Sequence, residues 1–184
     1  MKTDSMTVHV KLDAAIFRRF AMFDTFRRQR RWVSPAVFSG IMSFFSAIAF
    51  TRIGISEQAM LIGCVLLGVG FVLPIVYYFN FFYSLQEQIN QMGLLRPKFV
   101  YTLDINQSGG IAASTEKEHV YYSWSGLYNT YRTKDAIYLY VAPHKAFLLP
   151  ESQIKEGADA LWHILTTSLP VYKCHDIRKG SPTK

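Results

Sequence analysis

At 184 residues, with 50% hydrophobic, 15% aromatic and only 18% charged side chains, the chain is too apolar to be disordered or collagen-like. It is also too short for two ordinary domains plus a membrane region, and has room for one small domain and a helical hairpin. The net charge of +7 is unevenly placed: residues 1–32 hold eight basic and three acidic side chains, residues 97–184 ten and eight. The C-terminal part is therefore nearly neutral, which argues against nucleic acid as a partner.

Near the N-terminus, Thr7-Val8-His9-Val10-Lys11 alternates as a short strand does and could add an edge to a later sheet. The following LDAAIFRRFAMFDTFRRQRRW predicts a helix with Ile16, Phe20 and Phe23 on one face and arginines elsewhere. Two settings suit this basic amphipathic helix: an anionic membrane surface, or the protein's own soluble domain. Residues 1–32 are thus read as an N-terminal strand and helix.

Two uncharged apolar runs follow, VSPAVFSGIMSFFSAIAF from Val33 and AMLIGCVLLGVGFVLPIVYYF from Ala59. Each is long enough at 1.5 Å per residue to cross most of a bilayer core. They predict transmembrane helices over 33–52 and 59–83, the second continuing to about residue 93, where Gly93 stops it before Pro97. Arg27, Arg28, Arg30 and Arg31 precede the first run, and Arg96 and Lys98 follow the second. Basic residues near a span stay on the cytoplasmic side, so both termini are expected there, in an integral cell membrane protein. A cysteine placed at Ser56 in the connection should then label from outside. The Ala47-Ile48-Ala49 tripeptide resembles a signal-peptide cleavage site, but an n-region of some thirty residues and an immediate second span speak against cleavage.

Ser39, Ser43 and Ala47 share one face of the first helix, and Cys64 and Gly68 offer a low-relief patch on the second, so the backbones are expected to approach there. Neither run contains Asp, Glu, Lys, Arg or His, which argues against a solute carrier.

After Pro97 the period switches from helix to strand. Phe99, Tyr101, Leu103 and Ile105 point one way, and further strands are expected over 111–114, 118–124, 127–133, 136–142 and 145–149. A closing helix begins near Ser152 as N-cap, with Ile154, Ala158, Leu161, Trp162 and Leu165 as a buried stripe and Gly157 as a cost within it. Residues 170–184 are expected to form a polar tail.

Reactive chemistry is sparse. His119, His144, His163 and His175 show no metal-binding or catalytic spacing, and His163 beside Asp159 suggests a surface ion pair. Ser123 and Ser125 lie outside any GxSxG, while Asp104, Glu116, Glu118 and Asp135 fall at strand edges and turns. Cys174-His175 lacks further zinc ligands, and Cys64 and Cys174 sit in settings too different for a disulfide. No catalytic, cofactor or metal residue is therefore assigned. Tyr128, Arg132, Tyr138 and Tyr140 are the candidate partner-binding residues, because two neighbouring strands could present them on the face opposite Leu127, Ile137 and Leu139.

Gly109-Gly110, Tyr122-Ser123-Trp124-Ser125-Gly126-Leu127, the run Thr133 to Tyr140 and Phe147-Leu148-Leu149-Pro150-Glu151-Ser152, preceded by two spans, resemble the bacterial YcxB-like family of small membrane proteins. The resemblance runs from the first span to the closing helix. It implies a small membrane protein whose C-terminal domain is a pleckstrin-homology-like barrel; with the spans, charges and strands above, the expected fold is an α+β membrane protein, a two-helix transmembrane hairpin and then a small antiparallel β barrel over 97–169, facing the cytoplasm and closed by a C-terminal helix. The family carries no established activity or catalytic residues. The expected function is a membrane-anchored, non-catalytic binding or regulatory module, with the bilayer and a protein or lipid ligand as partners. The alternatives are an accessory subunit assembling through its spans and a membrane-associated enzyme with an unrecognised site.

Overall fold

The computed structural model describes residues 5–52, 54, 57–115 and 118–178. Ser56 and Glu116, singled out above, lie outside them. The chain divides into two compact units, one of residues Met1–Ile16 with Arg96–Lys184 and one of Phe17–Leu95. The helical unit is thus inserted between the first strand of the sheet unit and the rest of it.

Strand β1, Ser5–Leu12, buries Met6, Val8, Val10 and Leu12 and exposes the residues between them, the alternation of a half-covered strand. Asp13 caps the next helix, its Oδ1 accepting from the Ile16 N–H at 2.8 Å. Helix α1, Ala14–Met22, runs into a π-helical turn over Phe23–Arg28. Arg30, at φ +49°, then reverses the chain into α2, Val33–Phe50.

Helix α3, Glu57–Gln91, runs about 52 Å at 1.5 Å per residue and carries Pro74 inside it. It ends as expected at Gly93, whose φ is +68°, with the Leu94 N–H reaching back to the Ile89 carbonyl at 3.0 Å. Within the helical unit, Phe26 packs on Tyr78 and Phe81 with ring centroids 5.8 and 5.1 Å apart, and Arg18 donates to Gln86 at 3.0 Å. The segment before α2 therefore lies along the polar extension of α3.

The hairpin contact differs from the sequence expectation. Ser39 Oγ donates to the Gly70 carbonyl at 2.7 Å and Ser46 Oγ to the Gly63 carbonyl at 2.8 Å. A Cβ at Gly70 would stand 2.7 Å from Met42 Cβ, and one at Gly63 2.6 Å from the Phe50 ring, so these glycines let the backbones meet. Gly68 faces open space, and Ala47 and Cys64 are exposed. The seam repeats every seven residues, whereas the expected patch on α2 repeated every four. Two helices crossing at a shallow angle keep contact through a 3.5-residue period, which a four-residue stripe leaves within two turns.

The sheet unit continues with β2 Lys98–Asn106, β3 Gly110–Ser114, β4 His119–Tyr122, β5 Asn129–Arg132, β6 Ala136–Ala142 and β7 Lys145–Pro150. Helix α4, Ala158–Ser168, and β8, Cys174–Asp176, follow. One sheet has the order β1-β2-β3-β4 and is antiparallel throughout; the other is β7-β6-β5-β8, with β8 parallel to β5. Among the described residues no pairing joins the two sheets, so they do not close into the expected barrel.

Several local expectations are corrected. A bulge between Val10 and Lys11 in the β1–β2 register turns Phe99 to the outer side, where its ring lies 6.5 Å from that of His9. Trp124 leaves the strand for a 3-10 turn, and its indole N–H bridges the carbonyls of Asn106 and Gln107 at 3.2 and 3.0 Å. Helix α4 starts at Gly157, at φ +90°, rather than at Ser152. Glycine there supplies a backbone angle that other residues adopt only with strain, and so is no cost inside a helix. The segment expected to be a tail forms a 3-10 turn over Val171–Lys173 and then β8. The domain boundary of 97–169 accordingly leaves out two paired strands, β1 and β8.

Candidate functional site

The four candidate partner-binding residues do not form one surface. Tyr128 is 45% exposed, but Arg132, Tyr138 and Tyr140 are only 2%, 3% and 1% exposed. All five residues from Ala136 to Tyr140 are buried, so β6 is covered on both faces and has no outward side.

Arg132 is placed by β5, whose side chains at Thr130 and Arg132 point into the unit. Its Nη2 donates to Asp159 Oδ1 at 2.7 Å, lies 3.7 Å from Glu151, and its guanidinium sits 5.9 Å from the centroid of the Trp162 ring. The Arg132 Nε has no hydrogen-bond partner among the described residues. Asp159 itself remains 86% exposed and also faces Arg178 at 3.6 Å. The hydrogen bond from Arg132 and its charge hold the Asp159 carboxyl below its ordinary value. Asp159 is therefore the partner of Arg132 rather than of His163. Trp162, expected to be fully buried, is half-buried with this cation over its face.

Beside this ionic group, His175 stacks on Tyr131 with centroids 4.7 Å apart, and Tyr131 meets Tyr140 edge-on at 5.6 Å. Burial lowers the His175 pKa and raises that of the Cys174 thiol, whose environment favours the protonated, unreactive form. His119 Nδ1 lies 2.7 Å from Ser114 Oγ, and the Ser123 and Ser125 hydroxyls lie 3.1 Å apart. These are side chains completing a hairpin and a turn. Among the described residues no group of three His, Cys, Asp or Glu side chains could hold a metal ion.

The helical unit holds what sequence reasoning missed. A cavity of about 450 Å³ lies between the π-helical turn and α3, with Asp24, Thr25, Asn80, Ser84 and Gln88 among its walls. A second, of about 520 Å³, runs along α2 and α3 past Ser34, Phe38, Leu73 and Pro74. Arg31 and Tyr77 line both. The readable signal was Asn80, Ser84 and Gln88, four residues apart and hence one polar stripe on α3 just beyond its apolar run.

The fold and these sites define a two-sheet α+β unit and a helical unit with two long apolar helices. The YcxB-like protein family matches residues 108–162, which contain every motif that carried the resemblance. The chain thus bears a YcxB-like segment, running from the β2–β3 turn into α4. The match is shorter than the resemblance implied and does not reach the two apolar helices. No curated protein and no solved structure matches the chain.

Proposed function

We propose that the protein is a membrane-anchored, non-catalytic binding or regulatory module. In this reading α2 and α3 span the cell membrane as a hairpin, and the sheet unit works on the cytoplasmic side as a pleckstrin-homology-like domain.

The observation that carries the reading is the pairing of β1 with β2, in which Leu12 stands opposite Lys98. The chain leaves the sheet after β1 and re-enters it beside the point of departure. Two strands of one sheet lie on one side of a membrane, so whatever joins them crosses it an even number of times. Among the described residues the inserted helices long and apolar enough to cross number two. The same pairing argues against cleavage after Ala49, which would cut β1 from its sheet. Orientation rests on the arginines before α2. The antiparallel meander β1 to β4, the meander β5 to β7 and a C-terminal helix support the pleckstrin-homology-like reading.

Of the candidate binding residues, Tyr128 remains available to a partner, while Arg132, Tyr138 and Tyr140 serve the fold. The test has two parts. In a chain with Cys64 and Cys174 replaced, a cysteine at Ser56 should label from outside the cell and one at Ser181 only after permeabilisation; the opposite pattern overturns the orientation. Affinity capture from detergent should then recover a protein or lipid whose yield falls with Tyr128→Ala while the circular dichroism stays unchanged. Substrate turnover lost on replacing His119, His144 or His163 would overturn the non-catalytic reading.

A further inference from the structure

The two cavities of the helical unit differ in character and meet at one basic residue. The first has polar groups from α3 in its wall, whereas the second runs between Phe38 on α2 and Leu73 and Pro74 on α3. The one carboxylate in the first cavity, Asp24, is engaged by Arg28 at 2.5 Å and by the Gln29 amide. Among the described residues, the side chains of Arg27, Arg30 and Arg31 make no ion pair or hydrogen bond, and all three are exposed. A chamber that sets Asn80, Ser84 and Gln88 among Phe17, Phe20, Phe81 and Leu85, an unengaged guanidinium shared by both cavities and a more apolar groove beside it suit an anionic amphiphile.

We infer that Arg31 and Tyr77 mark a binding site for one anionic glycerophospholipid, its headgroup in the polar chamber and an acyl chain along Phe38, Leu73 and Pro74. The guanidinium presents a planar fork of donors that fits two phosphate oxygens at once. Asn80, Ser84 and Gln88 supply neutral donors and acceptors suited to a glycerol or sugar headgroup. Arg27 and Arg30, on the same turn but outside both linings, add positive charge nearby, the one carboxylate in the lining, Asp24, is engaged by Arg28, and basic pockets at the cytoplasmic ends of membrane helices suit such lipids. Each cavity has the volume of an ordinary ligand site. The inference rests on the membrane reading above and deepens it by naming the lipid class.

The test is native mass spectrometry of the full chain in detergent, with phosphatidylglycerol or phosphatidylcholine added at equal concentration. Phosphatidylglycerol should be retained in preference. Arg31→Gln should reduce its retention roughly fivefold, the loss expected for one basic contact at an anionic lipid. Leu73→Trp, which fills the groove, should also reduce it, and Arg31→Lys should fall between Arg31→Gln and the parent. Arg52→Gln, after the other end of α2, should change nothing. Equal retention of the two lipids, or equal losses in Arg31→Gln and Arg52→Gln, overturns the site. Resistance to alkaline extraction checks the membrane reading separately. A chain that stays in the membrane yet shows no lipid preference removes only the site, whereas a chain that is extracted removes both.

Discussion

The two units solve the same packing problem in opposite senses. In the sheet unit the strands turn most of their apolar side chains inward, and the Tyr101 hydroxyl that goes in with them brings its partners. The Tyr101 hydroxyl donates to the Leu148 carbonyl at 3.0 Å and accepts from the Leu148 N–H at 2.7 Å, and burial raises its pKa. In the helical unit Phe44, Leu61 and Phe79 are 64%, 67% and 72% exposed, while the hydroxyl of Ser46 is turned inward onto a backbone carbonyl. Water rewards the first arrangement. The second gains from hydrocarbon on its outside, where small residues and inter-helix hydrogen bonds hold the helices together. The contrast supports the membrane reading more directly than helix length does, since a soluble core helix can be equally long and apolar.

The sharpest way to break the comparison is to remove the same kind of side chain from each unit. Leu139, at the centre of β6, is fully buried between β5 and β7. Leu139→Ala should cost about 2–5 kcal/mol, the loss of transfer free energy plus the cavity left behind. Phe79→Ala removes a larger side chain from α3 but should change stability in detergent by no more than about 0.5 kcal/mol, as at other exposed positions. Denaturant unfolding of the full chain carrying Trp32→Phe, so that fluorescence comes from Trp124 and Trp162 of the sheet unit while circular dichroism follows the helices, compares the two. Comparable losses would show that Phe79 has a protein partner.

A smaller effect tests the hairpin seam. Gly70→Ile places its Cβ against Met42, a side-chain atom fixed to the backbone, so the helices must part and the bond from Ser39 must lengthen. Overpacking of this kind costs about 1–3 kcal/mol. Gly68→Ile, two residues away and facing open space, should leave the melting temperature in detergent unchanged. Equal responses would mean that the close approach at Gly70 is not what holds the pair.

Much of the fold was legible because its signals are local. Strands β1 to β7, both long helices and the stop at Gly93 follow from period and from residues adjacent in sequence. The candidate binding face misled because the rule used for it was incomplete. Alternation assigns an inside and an outside only when one face of a sheet is covered, and AIYLYVA has no polar residue at alternate positions to mark an outside. The run itself was the sign of a doubly covered strand. The pairing of Arg132 with Asp159 joins residues 27 apart through β5 and α4, and no local pattern announces it. The hairpin seam was missed by its period, four residues having been read where seven operate. Of the Arg31 cavity only the polar stripe of Asn80, Ser84 and Gln88 was readable, since the opposite wall depends on the π-helical turn that brings Phe26 against α3.

The smallest expected effect concerns β8, the strand least visible in the sequence. Burial lowers the pKa of His175 from its ordinary 6.5, while its ring stacks on Tyr131 in the adjacent β5. The unfolded chain therefore binds a proton more readily than the folded one between the two values, and stability must rise with pH across that window. Acidification from pH 7 through 6.5 and below should weaken the sheet unit gradually, and the effect should level off once the folded histidine is also charged. Asp159 and Asp176 act in the same direction but lower on the scale, because arginines depress both carboxyls below 3.8 and their contribution is lost only as acid reaches that range. His175→Phe keeps an aromatic ring on Tyr131 and removes the titration. Melting temperatures of the full chain between pH 7.5 and 5 should then be flatter for the variant than for the parent. An unchanged slope would place the acid sensitivity elsewhere and show β8 to contribute by its backbone pairing with Thr130 and Arg132 alone.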